Sequence, residues 1–254
     1  MIDPERIGGR AWTERTNGNL TGAERRRLLG EIVRGQAGYL AGRLRLALGR
    51  NPAGAQDIAL ADFRPPDSTL ATEAEEAARE QTPGVAGHGY RTWAFGSALA
   101  ALDRGSLDRE RFYVASLLHD HGIARPVPEQ DFTLRSAERA RRCVRDTGGP
   151  EEAGDAIAQA ITVHATPGAR PDLDGPLGFY VQNGALLDLV GIRAEDLPRA
   201  FRDDVNRAYP RAGITGEITQ LIRAEARAVP RSRFALLHRC GFGALVHAAP
   251  HRPR

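Results

Sequence analysis

The sequence predicts an all-α protein, and three observations carry that prediction. Ala, Leu, Arg and Glu dominate the chain, apolar residues recur at spacings of three and four, and no stretch alternates apolar with polar residues as a half-buried strand would.

Taken in order, Met1 to Asn19 is polar and Gly-rich, with Arg6, Arg10 and Arg15 but no apolar core, so it is not a secretory signal. Thr21-Gly22-Ala23-Glu24 is a capping box that opens a long amphipathic helix to about Leu48, with Leu28, Leu29, Ile32, Val33 and Leu40 expected on its buried side. Asn51 to Pro66 reads as a loop rich in Gly, Pro and Asp, and a second capping box, Thr72 to Glu75, is expected to start a short helix. Thr82 followed by Pro83 starts the next helix, which carries Val85, His88, Arg91, Thr92, Phe95 and Leu99 before Gly105. Asp108 caps a helix whose Phe112, Ala115, Leu117 and Leu118 lead into His119-Asp120-His121-Gly122, where a left-handed Gly122 is expected to stop it.

Further helices are predicted near Leu134–Asp146 with Thr133 as cap, Pro150–His164, Pro176–Val190, Pro198–Ala208 and Glu217–Ala228, followed by one short helix in the Ser232–His251 tail. With no internal repeat and no low-complexity linker, the reading is one helical domain over residues 82–254 with an N-terminal helical extension, residues 1–81, packed on it.

Composition narrows the chemistry. The chain has 254 residues, 35 basic against 32 acidic side chains and a formal net charge of +3, and every basic residue is Arg. The absence of Lys excludes a Walker A phosphate loop, a Schiff-base centre and a pyridoxal-phosphate site. Cys143 and Cys240 stand far apart without a CxxC partner, so neither a disulfide framework nor a cysteine zinc site is expected. Arginines alternate with acids, as in Asp108-Arg109-Glu110-Arg111, so they read as solvated helix faces and no nucleic-acid partner is expected. No run approaches the ~18 apolar residues that span a bilayer. The expectation is a cytoplasmic protein with a small-molecule substrate and no membrane partner, a homo-oligomer being left open.

The informative residues are histidines and one misplaced carboxylate. Of seven His, those at 238, 247 and 251 lie in the tail and read as surface or packing residues. His88 sits near the start of one helix, His119 with Asp120 at the end of the next, and His164 closes a third. Asp188 lies among Leu187, Leu189 and Val190, on a stripe with Leu177, Val181 and Gly184, where a charge must be paired, neutralised or bound to a cation. Singly, each His is more simply a packed core residue. Together, His88, His119, Asp120 and Asp188 make a ligand set suited to Zn(II), Fe(II) or Mn(II).

Four segments in order carry a family resemblance: His88-Gly89-Tyr90-Arg91-Thr92-Trp93-Ala94-Phe95-Gly96, Ala115-Ser116-Leu117-Leu118-His119-Asp120-His121-Gly122, Ile161-Thr162-Val163-His164-Ala165-Thr166 and Gly184-Ala185-Leu186-Leu187-Asp188-Leu189-Val190-Gly191. From about Gly84 to Val246 the chain resembles the HD-domain superfamily of metal-dependent hydrolases, and within it the cyanamide hydratase-like group. The resemblance implies an HD-domain helical bundle holding one divalent ion through His88, His119, Asp120 and Asp188. It also implies a hydrolase or hydratase that uses hydroxide generated at the metal on a small polar substrate with a nitrile- or cyanamide-like C–N centre. Ile123 stands where the cyclic-dinucleotide branch has Lys, which argues against that branch. The run Gln130-Asp131-Phe132-Thr133-Leu134 departs from the run expected of a cyanamide hydratase.

His164 is a ligand, an outer-sphere donor or general acid, or simply a His favoured at a helix C-terminus. Arg91 either clamps a substrate anion or pairs with Asp120 or a neighbouring Glu. Tyr90, Trp93 and Phe95 are expected in the core. Alternatives are an HD-type phosphohydrolase on phosphomonoesters or nucleotides, a di-iron oxygenase with a second metal through His121 or His164, and a non-catalytic helical binding module. On a continuous helix His121 would point about 200° away from His119, which counts against the oxygenase.

Overall fold

In the computed structural model the described residues, 3, 5–49, 55–211 and 213–250, form thirteen α-helices and no strand. The expected Asn51–Pro66 loop lies partly, and His251 wholly, outside the described residues. The helices are α1 (Arg10–Thr16), α2 (Gly22–Ala47), α3 (Thr69–Ala78), α4 (Pro83–Leu102), α5 (Arg109–Leu118), α6 (Phe132–Asp146), α7 (Glu151–His164), α8 (Pro171–Asp174), α9 (Pro176–Val190), α10 (Arg199–Ala208), α11 (Ile214–Ala228), α12 (Arg233–Arg239) and α13 (Phe242–His247). No helix among the described residues is long and apolar enough to cross a membrane.

Helix starts follow local capping chemistry, though not always at the expected residue. The Thr21 hydroxyl accepts from the Glu24 N–H while the Glu24 carboxylate accepts from the Thr21 N–H at 2.8 Å, as the capping box requires. At α3 the cap is Ser68, not Thr72; Ser68 already accepts from the Ala71 N–H, and Thr72, inside the helix, turns its hydroxyl back to the Ser68 carbonyl. At α6 the cap is Asp131, not Thr133, because its carboxylate reaches both the N–H and the hydroxyl of Thr133. The first nineteen residues hold α1, and the tail folds as two helices because Gly241, at φ +86°, breaks it between α12 and α13.

The centre of the bundle is α4 against α9, with α5 and α7 flanking and α6 on α7. Apolar on nearly every side, α4 and α9 suit the middle of a bundle rather than its surface. Trp93 and Phe95 lie in that core, and Tyr90 packs at its edge, stacked on Tyr209 with ring centroids 5.1 Å apart. Glycines set the spacing at the crossings. A Cβ on Gly184 would stand 2.2 Å from the Thr92 carbonyl oxygen, and one on Gly96 would stand 2.6 Å from that of Tyr180, so α4 and α9 touch backbone to backbone.

The N-terminal residues divide between two packing regions. α3 places Leu70, Ala71 and Ala74 in the main core. Trp12, Leu20 and Leu28 form a smaller cluster with Leu236 of α12. There the Leu20 N–H donates to the Arg231 carbonyl at 3.0 Å, and Asn19 makes an isolated antiparallel bridge to Ser232. Arg233, fully buried, lies 5.3 Å from the Trp12 ring and donates to the Thr162 carbonyl at 2.8 Å. α2 buries less than its period suggested. Leu28 is buried, but Val33 and Leu40 are 69% and 67% exposed, because α2 lies over the bundle's edge with only one flank covered.

Candidate metal centre

The first half of α4 brings His88 inward. Its neighbour Gly89 lets α5 approach so closely that a Cβ would stand 3.0 Å from the Leu117 Cα and carbonyl oxygen. α5 ends at His119, and Asp120 takes φ −104°, ψ 7° to enter a 3-10 turn over His121–Ala124. That break aims two consecutive side chains at one point, which a continuous helix would hold about 100° apart. Gly122 does not adopt the expected left-handed conformation; it lies inside the turn, where its missing Cβ matters because the Phe132 carbonyl oxygen would be 2.4 Å from it.

Three buried groups converge. His88 Nε2 lies 3.2 Å from His119 Nε2 and 3.7 Å from Asp120 Oδ2, and His119 Nε2 lies 3.5 Å from that same oxygen. Among the described residues, His88, His119 and Asp120 are the group placed to hold a metal ion. Bonds of about 2.0–2.2 Å from a metal to nitrogen or carboxylate oxygen put neighbouring ligand atoms on a tetrahedral ion roughly 3.3–3.6 Å apart. The observed separations, 3.2, 3.5 and 3.7 Å, lie within about 0.1 Å of that spacing.

The hydrogen bonds behind the cluster fix where the protons are. His119 Nδ1–H donates to the Ser116 carbonyl at 2.7 Å, since a carbonyl can only accept. His88 Nδ1–H donates to Asp188 Oδ2 at 2.7 Å. Burial pushes His119 down to about 3 despite the opposing pull of Asp120, so its imidazole is neutral and Nε2 carries a lone pair. Asp120 is ionised: burial alone would raise it, but His119, His164 and His88 hold it below the usual carboxylate range. Acceptors therefore face one another. A proton on His88 Nε2 could bridge one pair, whereas a metal ion satisfies all three.

Asp188, expected as a fourth ligand, lies on the other nitrogen of His88. Both its oxygens are engaged: Oδ2 by His88, Oδ1 by Arg91 Nε at 2.8 Å and by Arg211. Burial works to raise its carboxyl, but the Arg91 and Arg211 guanidiniums, with His88, hold it well below the ordinary range. Arg91 is fully buried and its Nη1 donates to the carbonyls of Tyr209 and Pro210, so it ties Asp188 to the chain after α10 and neither pairs with Asp120 nor lines the cavity. His164 stands beside the cluster, with Nδ1–H on the Ile161 carbonyl and Nε2 3.5 Å from Asp120 Oδ1. His121 turns outward to Glu80 at 2.9 Å and does not join.

A cavity of about 160 Å³ opens onto these groups. Ile32 and Tyr39 of α2, Leu186 and Leu189 of α9, Phe234 of α12, and Phe242 and Leu245 of α13 line it, with Gln182 of α9 and Glu31 and Gln36 of α2 as further polar groups; among the described residues no arginine does. Sequence reasoning missed Arg211, Gln182 and the α2 wall. For Gln182 a signal existed, one of two adjacent amides, Gln182 and Asn183, in a helix that apart from Asp188 is otherwise apolar. For Arg211 and α2 none did, since only the tertiary fold brings them there.

The chain matches no protein-family model, and a search of curated proteins finds no match either.

Proposed function

We propose that the chain is a metal-dependent hydrolase or hydratase that adds water to a small uncharged substrate. The observation that carries this reading is the convergence of three acceptor atoms, two imidazole nitrogens and a carboxylate oxygen, on residues that line a mostly apolar cavity. The four segments that resemble the HD-domain superfamily support it. Two nitrogens and one oxygen favour Zn(II) or Fe(II), with Mn(II) as a weaker candidate. An ion held there would supply Lewis acidity and lower the pKa of a bound water from 15.7 toward about 7.

The protein's own groups have separable tasks. Asp188 and the Ser116 carbonyl hold the His88 and His119 rings with Nε2 pointing inward, as outer-sphere acceptors do for ligating imidazoles. His164 exchanges protons only at Nε2, because Nδ1–H is committed to Ile161. A proton taken up there is stabilised by Asp120 Oδ1 and is delivered to the substrate atom that becomes negative. The apolar wall limits competing water and accepts the substrate's body.

The phosphohydrolase reading finds no phosphate-binding arginine among the described residues, since Arg91 is committed to Asp188 and no other described arginine lines the cavity. Elemental analysis of the purified chain, with His88→Ala and Asp120→Ala as controls, tests the proposal. About one divalent ion per chain, lost in both variants, together with hydration of nitriles or hydrolysis of amides, is expected. Unchanged metal content in both variants, or turnover of nucleoside monophosphates alone, would overturn it.

A further inference from the structure

Gln182 has no part in holding the three acceptor atoms, and its amide is locked in one orientation. Nε2 donates to the His164 carbonyl at 2.7 Å and to the Thr166 carbonyl at 2.6 Å, which uses both of its hydrogens. Flipping the amide would press its oxygen against two carbonyl oxygens. Oε1 is left without a donor among the described residues, on a side chain that lines the cavity and is only 8% exposed. A fixed acceptor in an apolar chamber selects a ligand with a hydrogen-bond donor, because an apolar ligand leaves it unpaired.

The rest of the chamber sets the other requirements. At about 160 Å³ it is close to the size of a cavity that takes benzene. Leu186, Leu189, Phe234 and Phe242 offer nothing to an anion, the lining carboxylates Asp120 and Glu31 repel one where no cation is bound, and no arginine among the described residues answers it. From α2, Ile32 and Tyr39 supply a further part of the wall.

We infer that the cavity binds uncharged primary carboxamides with a compact apolar substituent, the substituent against α9, α12 and α2 and an amide N–H donating to Gln182 Oε1. The inference deepens the proposed function and rests on it for catalysis, since a primary carboxamide is the product of adding water to a nitrile and the substrate of amide hydrolysis. It also gives the N-terminal segment a task, because residues of α2 decide how large that substituent can be.

Calorimetric titration of the full chain, as purified and after chelator treatment, with benzamide, N,N-dimethylbenzamide and benzoate tests this. Benzamide is expected to bind saturably to both forms, at least ten-fold more tightly than the dimethyl amide in both and at least ten-fold more tightly than benzoate in the chelator-treated form. Gln182→Leu should bring benzamide and the dimethyl amide within about two-fold of each other. Should that variant fail to fold, Ile32→Trp, which fills the chamber from α2, should abolish benzamide binding without changing metal content. Equal affinity of either form for the dimethyl amide, equal affinity of the chelator-treated form for benzoate, no benzamide binding by either form, or full binding by Ile32→Trp overturns the inference. A chain that carries no metal yet keeps the ten-fold preference upholds it and overturns the hydrolytic reading instead.

Discussion

Asp188 accepts the Nδ1–H of His88 at 2.7 Å, on the edge of the ring opposite the nitrogen that faces His119. A carboxylate there fixes the tautomer and makes Nε2 a better donor to a cation. Asp188→Asn keeps the shape and removes the charge, so metal affinity should fall about 10- to 100-fold. Arg91 loses its buried counter-charge as well, and stability should fall by about 3–5 kcal/mol. Metal titration and urea denaturation read the two effects. Unchanged metal affinity in folded Asp188→Asn would refute the orienting role.

Arg91 joins α4 to the segment after α10 through Asp188 and two backbone carbonyls. Arg91→Met should therefore destabilise the chain by roughly 3 kcal/mol, and the folded fraction should bind benzamide as the parent does. A variant of full stability with weakened ligand binding would restore the substrate-clamp reading.

His119 gives the stability curve a defined acid limb. Its folded pKa, near 3, lies below the ordinary 6.5, so between those values the unfolded chain takes up a proton that the folded chain refuses. Stability is then complete above pH 6.5 and falls as pH drops toward 3, by up to about 1.4 kcal/mol per unit. Denaturation of the chelator-treated chain across this range checks it. His119→Gln should flatten the slope, and an unaltered slope in that variant would show that another group is responsible.

Gly184 sets the distance between the helices that carry His88 and Asp188. With the Thr92 carbonyl oxygen 2.2 Å from where a Cβ would stand, Gly184→Ala has to push α4 and α9 apart. Overpacking of this kind costs about 1–3 kcal/mol, and the shift should also lengthen the His88–Asp188 contact and weaken metal binding. Stability and metal affinity both at parent values would mean that the crossing gives way without cost.

Much of the fold was legible because its helices announce their own ends. Thr21, Thr82 and Asp108 cap where their side chains can reach the next turn, and Pro176 sits in the first turn of α9. Caps misled where two candidates stood close together, since Ser68 and Asp131 reach the free N–H groups before Thr72 and Thr133 do. The three converging site residues were legible from their residue types and the four ordered segments, but that consecutive His119 and Asp120 meet at one point was not, because it depends on the break after α5. Which nitrogen of His88 meets Asp188 was not, because spacing along α9 fixes a face of the helix and not the atom it touches. The exposure of Val33 and Leu40 was equally hidden: a stripe shows that a helix has an apolar side, but not that a neighbour is wide enough to cover it.

The bridge between Asn19 and Ser232 ties the start of α2 to the start of α12, and α2, α12 and α13 all line the same chamber. A polypeptide emerging during synthesis has all three converging side chains in hand once α5 is out, long before α12 and α13 appear. Discrimination among ligands arrives only with the final turns, so a shortened chain would be expected to keep its ion and lose its selectivity.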